Sequence, residues 1–169
     1  MLTLDAVNAM ATVDFVAAFG DIAEHSPFVA EAAAGARPFA DRAALVEAFQ
    51  RVVAGLPEDR LVSLLQAHPD LAGRAHRAGL LARDSAGEQA GAGLDSLSDE
   101  EFARFTTLNE AYGARFGFPF ILAVRGADKH RILDAFATRV GGSRREELMT
   151  ATAQVLRIMR FRLEDRVAG

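Results

Sequence analysis

The chain reads as an all-α protein, a single compact domain of about eight to ten helices over residues 1–169, and three observations predict this. Apolar residues recur at helical spacing along nearly the whole length, and no stretch alternates convincingly like an amphipathic strand. Serine or aspartate precedes several of these stretches and glycine or proline follows them, the usual punctuation of helix starts and stops. The 169 residues are half apolar, enough to bury one sizeable core, and no internal repeat or linker divides them.

In chain order, Leu4, Val7 and Met10 suggest a short first helix, and Phe15, Val16 and Phe19 a second that stops near Gly20. Ser26-Pro27 predicts a start with serine as the cap and proline at the first helical position, leading through an alanine-rich run to Gly35. Asp41 opens the stripe Leu45, Val46, Phe49, Val52 and Val53, closed by Gly55 and Pro57. Leu61, Leu64 and Leu65 mark a helix that must stop near His68, because Pro69 disfavours helical backbone in the residue before it. Residues 73–97 are the least regular, with a short helix predicted from Ser85. Ser98 starts a longer helix through Phe102, Phe105, Leu108 and Tyr112 to Gly117. Phe118-Pro119 breaks the chain before an apolar run, Phe120 to Val124. Asp128 opens a helix carrying Ile132, Leu133 and Phe136, stopped by Gly141-Gly142, and Ser143 begins the last and longest helix, to about Val167.

Composition narrows the function. The net charge is −4 and no basic stripe stands out, so a nucleic-acid partner is not expected. There are no cysteines, which removes disulfides, thiolate chemistry and cysteine-held zinc. The four histidines (25, 68, 76 and 130) form no i, i+4 pair and no His-Glu-x-x-His, so no metal site is expected. No apolar run reaches membrane-spanning length and no targeting segment is recognisable, which points to a cytoplasmic protein with no membrane partner. Phosphate-loop, dinucleotide and Gly-x-Ser-x-Gly patterns are lacking too.

Four places could carry chemistry. His68 lies at a helix end, where exposed carbonyls and the helix dipole favour its protonated form. An imidazole there either caps those carbonyls or, held by a rigid turn, does acid–base work near neutral pH. Ser85, Glu88 and Gln89 offer a hydroxyl, a carboxyl and an amide within five residues, suited to a polar heterocycle. Ser-x-x-Glu is also a capping box, as at Ser98/Glu101 and Ser143/Glu146. On the last helix, Arg160 and Arg162 flank the stripe Leu148, Val155, Leu156, Met159 and Leu163, each about 80° from its centre. Either can extend to water or hold an anion bidentately, and periodicity does not choose. Gly117-Phe118-Pro119-Phe120-Ile121 is either a pocket wall offering backbone donors and acceptors or a buried connector. Glu24, before the Ser26-Pro27 start, is placed either to pair with an arginine or to serve a purely structural role.

Taken together these segments resemble the 2-oxo-4-hydroxy-4-carboxy-5-ureidoimidazoline (OHCU) decarboxylases of urate breakdown. The similar blocks are Glu24-His25-Ser26-Pro27-Phe28-Val29, Ala67-His68-Pro69-Asp70-Leu71-Ala72-Gly73, and Ser85-x-x-Glu88-Gln89 with Ala92-Gly93-Leu94. They continue with Leu108-Asn109-x-x-Tyr112-x-x-x-Phe116-Gly117-Phe118-Pro119-Phe120-Ile121, Val124-Arg125-Gly126 and Arg162-Leu163. Phe28 departs from the tryptophan common in that family, and Gly141-Gly142-Ser143 from an asparagine-containing turn. The resemblance implies an all-helical domain, often a homodimer, that removes CO2 from OHCU to give (S)-allantoin without a cofactor. It implies His68 as catalytic acid/base, Glu88 with Ser85 and Gln89 holding the ring or ureido group, and Arg162 rather than Arg160 binding an anionic or carbonyl part. Pro69 and the backbone of Phe118, Pro119, Phe120 and Ile121 would line the pocket on which His68, Glu88 and Arg162 converge. Two other readings are a non-catalytic helical partner of another urate-pathway enzyme and a decarboxylase or hydrolase of a related ureido heterocycle.

Overall fold

The computed structural model describes residues 1–73 and 79–169, and within them the regular structure is helical apart from one isolated parallel bridge between Leu2 and Val167. His76 lies outside the described residues. The helices are α1 (Leu4–Ala9), α2 (Thr12–Phe19), α3 (Phe28–Ala34), α4 (Arg42–Ala54), α5 (Glu58–Gln66), α6 (Arg83–Gly91), α7 (Asp99–Phe116), α8 (Lys129–Arg139) and α9 (Arg144–Arg166), with a 3-10 turn at Leu94–Ser96. They group into two compact units: Met1–Ala67 with Val155–Gly169, and His68–Gln154.

The first unit holds α1 to α5 and the C-terminal part of α9. Its core is built on phenylalanines: Phe15 lies 4.8 Å from Phe19 and 6.1 Å from Phe49 between ring centroids, and all three are fully buried. Caps fix several helix starts, with the Thr3 hydroxyl accepting from Ala6 N and the Asp41 carboxylate from Ala44 N at 2.7 Å. Ser26 departs from the sequence expectation. Its hydroxyl donates back to the Glu24 carbonyl at 3.1 Å, and α3 begins without a side-chain cap. Burial decides this, since a hydroxyl on a residue only 5% exposed must bond to whatever backbone lies beside it.

The second unit holds α6 to α8 and the N-terminal part of α9. Ser98 and Glu101 form a complete capping box on α7, and the Asp128 carboxylate accepts from His130 N and Arg131 N at the start of α8. The buried face of α7 reads Phe105, Asn109, Tyr112 and Phe116, whereas Phe102 and Leu108 are only half-buried. A carboxamide therefore sits in the middle of an aromatic stripe. After the left-handed Gly117 (φ +80°), residues 118–124 run as irregular backbone through this core. Phe120 stacks on Phe136 at 3.8 Å and 10°, and meets Tyr112 edge-on at 5.4 Å.

Candidate active site

The helix α5 ends at Gln66, Ala67 closes it, and His68-Pro69 follows, as the proline requires. His68 is buried, 7% exposed, and is the first residue of the second unit. The turn beyond it is tightly specified. Ala72 adopts φ +50°, a left-handed conformation uncommon for a residue with a Cβ. A Cβ on Gly73 would lie 2.7 Å from Asp70 Cβ, so that position is closed to larger residues. Two side chains bind this turn from elsewhere in the unit. Gln89 Oε1 accepts from Ala72 N at 2.9 Å, with Nε2 donating more weakly to the Asp70 carbonyl at 3.4 Å, and Asn109 Nδ2 donates to the Leu71 carbonyl at 2.9 Å. Asp70 is exposed as a residue, yet partial desolvation of its carboxyl raises its pKa above the ordinary 3.8.

Ser85 is not a helix cap. The first turn of α6 starts at Arg83, Ala82 precedes it without a side-chain bond, and Ala86 N already donates to Ala82 O at 2.9 Å. The expected start at Ser85 is therefore two residues late. An Asp84 in the first turn, favourable to the helix dipole, makes the earlier start possible. The shift matters because it places Ser85, Glu88 and Gln89 at i, i+3 and i+4 of one helix, on one face. Ser85 (4% exposed) and Gln89 (2%) are buried and Glu88 is half-buried. Through Gln89 this face is joined to the turn after His68.

Burial separates the two arginines that periodicity left equivalent. Arg160 is exposed and pairs with Glu164 one turn on, at 2.7 Å. Arg162 is 4% exposed, its Nη1 donating to the Glu24 carboxylate at 3.0 Å and to the Ile22 carbonyl at 3.4 Å. Both partners lie in the first unit, with Arg162. Glu24 is thus the arginine partner foreseen from its position before α3.

The Phe118–Ile121 segment is held by a network that sequence reasoning missed. Tyr112 donates to Glu147 Oε2 at 2.6 Å, Arg139 Nε donates to the same oxygen at 3.0 Å, and Arg139 Nη1 donates to the Ile121 carbonyl at 2.8 Å. Arg139 Nη2 also approaches that carboxylate at 2.9 Å, an ion-pair contact without hydrogen-bond alignment. The guanidinium lies 4.4 Å from the Phe120 ring centroid. Burial and the adjacent Glu147 push the Tyr112 phenol well above its ordinary value of 10.0. Phe118, Phe120 and Ile121 turn their side chains into the core and Pro119 is half-buried, so the segment's backbone is what it can offer a ligand. The signal that could have exposed the network is a polar group on an otherwise buried stripe: the Tyr112 hydroxyl on α7 and Glu147 on α9.

A separate cavity of about 320 Å³ in the second unit is lined mainly by apolar residues, including Leu81, Ala86, Leu94 and Phe102, and takes in no candidate residue. Among the described residues, no group of three or more His, Asp or Glu side chains is arranged to hold a metal ion. Nor is any described helix long and apolar enough to cross a membrane.

A buried histidine in a rigid turn, tied to a helix face of hydroxyl, carboxyl and carboxamide, has the make-up of a helical enzyme doing acid–base chemistry on a small polar molecule. Comparison with known proteins names the family. A model described as OHCU decarboxylase matches residues 8–164, and the chain belongs to that family. The 2-oxo-4-hydroxy-4-carboxy-5-ureidoimidazoline decarboxylase of Haloferax volcanii is 42% identical over 168 residues, 99% of this chain and 98% of its own. A crystal structure of (S)-allantoin synthase matches with a TM-score of 0.79 at 32% identity, over 98% of this chain and 54% of that one. The chain therefore spans about half of that protein. A crystal structure of OHCU decarboxylase in the presence of (S)-allantoin shares the fold, at TM-score 0.69 and 16% identity, over 86% of this chain and 94% of that one.

Proposed function

We propose that this protein is a carboxy-lyase of urate degradation, converting OHCU to (S)-allantoin and CO2. The observation that carries the reading is the family match over residues 8–164, which runs through both units and takes in His68, Glu88 and Arg162. The 169 residues then act as one catalytic domain. The carbon that loses CO2 bears a hydroxyl and adjoins conjugated C=N and C=O groups. When the C–CO2 bond of the carboxylate breaks, its electron pair passes into that conjugated system and the former C=N nitrogen takes a proton from solvent, while the hydroxyl becomes a carbonyl by losing its proton and a proton is added to the neighbouring carbon. The ring is its own electron sink, which supports a reaction without a cofactor. His68 takes the hydroxyl proton and supplies one to carbon on a single face, giving the S product. Glu88, with Ser85 and Gln89, holds the polar ring or ureido group, and Gln89 does so while bound to the His68 turn. Arg162, oriented by Glu24, offsets negative charge on the substrate. Pro69 and the backbone of Phe118–Ile121 line the pocket. The resemblance also supports a homodimer, which sedimentation equilibrium would test, and a cytoplasmic location.

The deciding experiment mixes the protein with freshly prepared OHCU and follows the circular dichroism of (S)-allantoin. Rapid growth of the S signal is expected, and its loss in His68→Gln with an unchanged far-UV spectrum. Racemic product at the uncatalysed rate from the wild type would refute the activity, and near-normal turnover by His68→Gln would refute the role of that residue.

A further inference from the structure

We propose that Asn109 is a positioning residue for His68, acting through the Leu71 carbonyl. The proposal rests on His68 being the acid/base group. His68 opens the second unit, and the residues that follow it set the backbone from which its ring projects. Those residues form no helix or strand; the Gly73 amide donates within the turn to the Asp70 carbonyl at 3.4 Å, while the Leu71 carbonyl and the Ala72 amide take partners from elsewhere. Leu71, Ala72 and Gly73 are buried, which denies them water as the partner.

The partners are two carboxamides from two helices. Gln89 of α6 takes the Ala72 amide and, at longer range, the Asp70 carbonyl, and Asn109 of α7 takes the Leu71 carbonyl. Three consecutive residues are thus pinned from two directions, immediately after a proline whose φ is already fixed. The arrangement also holds Ala72 at φ +50°, a conformation that persists only where its surroundings over-determine it. Gln89 already has a place in substrate binding, but Asn109 has none. It is 9% exposed, lies on the aromatic face of α7 between Phe105 and Tyr112, and points its one identified donor bond at the turn. A leucine there would pack better with those rings, so the carboxamide is there for the bond it makes.

Without the Asn109 bond, the Leu71 carbonyl is buried and unpaired and the turn relaxes. The imidazole three residues earlier loses its aim, while groups that only bind substrate keep theirs. Asn109→Leu, which removes the donor at similar volume, should therefore lower kcat about 10- to 100-fold and change KM by less than about threefold. NMR of the histidine rings supplies the readout that a general loss of stability would not give. The His68 resonance, assigned by its disappearance in His68→Gln, should shift in Asn109→Leu, with those of His25 and His130 in place. If Asn109→Leu does not fold, Asn109→Ala removes the donor without adding bulk and is read the same way.

A folded variant with kcat within about threefold of wild type overturns the proposal, as does a KM rise at unchanged kcat, which would make Asn109 a substrate contact. Failure of both variants to fold also overturns it, because Asn109 would then serve the fold at large. Activity in His68→Gln is a different outcome, which removes the acid/base reading instead.

Discussion

Replacing Tyr112 by phenylalanine isolates one bond in the network behind the Phe118–Ile121 segment. The ring keeps its packing against Phe116, 4.5 Å away between centroids, and against Phe120 at 5.4 Å. What disappears is the hydroxyl that donates to Glu147 Oε2 at 2.6 Å. A hydrogen bond to a charged group contributes about 1.5–3 kcal/mol. Here the carboxylate keeps Arg139 at 2.9–3.0 Å, so it is not left buried and unpaired, and the loss belongs at the lower end, about 1.5–2 kcal/mol. For a chain of this length that corresponds to a fall in Tm of roughly 3–8 °C. Urea unfolding followed by far-UV circular dichroism measures the difference without needing the tyrosine as a probe. The pH dependence adds a second condition. A phenol whose folded pKa is raised contributes stability that is fully present below the unfolded value of 10.0 and is lost as pH climbs past it. The wild type should therefore lose its advantage over Tyr112→Phe above pH 10. Because Tyr112 is the single tyrosine and the chain lacks tryptophan, phenolate absorbance near 295 nm should appear only as the protein unfolds. A stability loss below about 0.5 kcal/mol, or free titration of the phenol in the folded protein near pH 10, would refute the reasoning.

The two arginines of α9 should differ sharply. Arg160→Ala removes an exposed i, i+4 pair and should cost less than about 0.5 kcal/mol with binding unchanged. Arg162→Ala should weaken substrate binding and, by leaving Glu24 buried without its guanidinium, destabilise the fold by about 3–5 kcal/mol in thermal unfolding. The opposite ordering in KM would show that the wrong arginine has been assigned to substrate. Acid should destabilise the protein as well. Hydrogen bonds from Arg166, Lys129, Arg131 and Ser143 hold Asp21, Glu101, Asp128 and Glu146 respectively below their ordinary values. The stability these groups contribute is present above the unfolded values of 3.8 and 4.5 and is lost as pH falls through the lowered ones. Urea midpoints measured between pH 6 and pH 3 should fall accordingly, and a flat profile would count against the pairings.

What the sequence by itself determined was everything that rests on neighbours a few residues apart. Helical spacing, the caps at Asp41, Ser98 and Asp128, the stop enforced by Pro69 and the break at Phe118-Pro119 are local events, and each appears where the pattern places it. Ser26 and Ser85 show where local reasoning ends. Both carry cap-like patterns, yet burial gives the Ser26 hydroxyl a different partner, and α6 starts before Ser85. Helical spacing left Arg160 and Arg162 equivalent and the family resemblance chose Arg162, but only the tertiary structure shows why they differ: Arg162 is buried against Glu24, 138 residues away, and the Ile22 carbonyl, while Arg160 is exposed. Tertiary structure alone showed Gln89 and Asn109 gripping the turn after His68 from 17 and 38 residues away. It alone joined Tyr112, Glu147 and Arg139 behind Ile121. The physical reason is common to all of these. Helices form from bonds and side-chain spacing within a few turns, whereas a buried polar group must take its partner from whichever distant segment the packed core brings within about 3 Å.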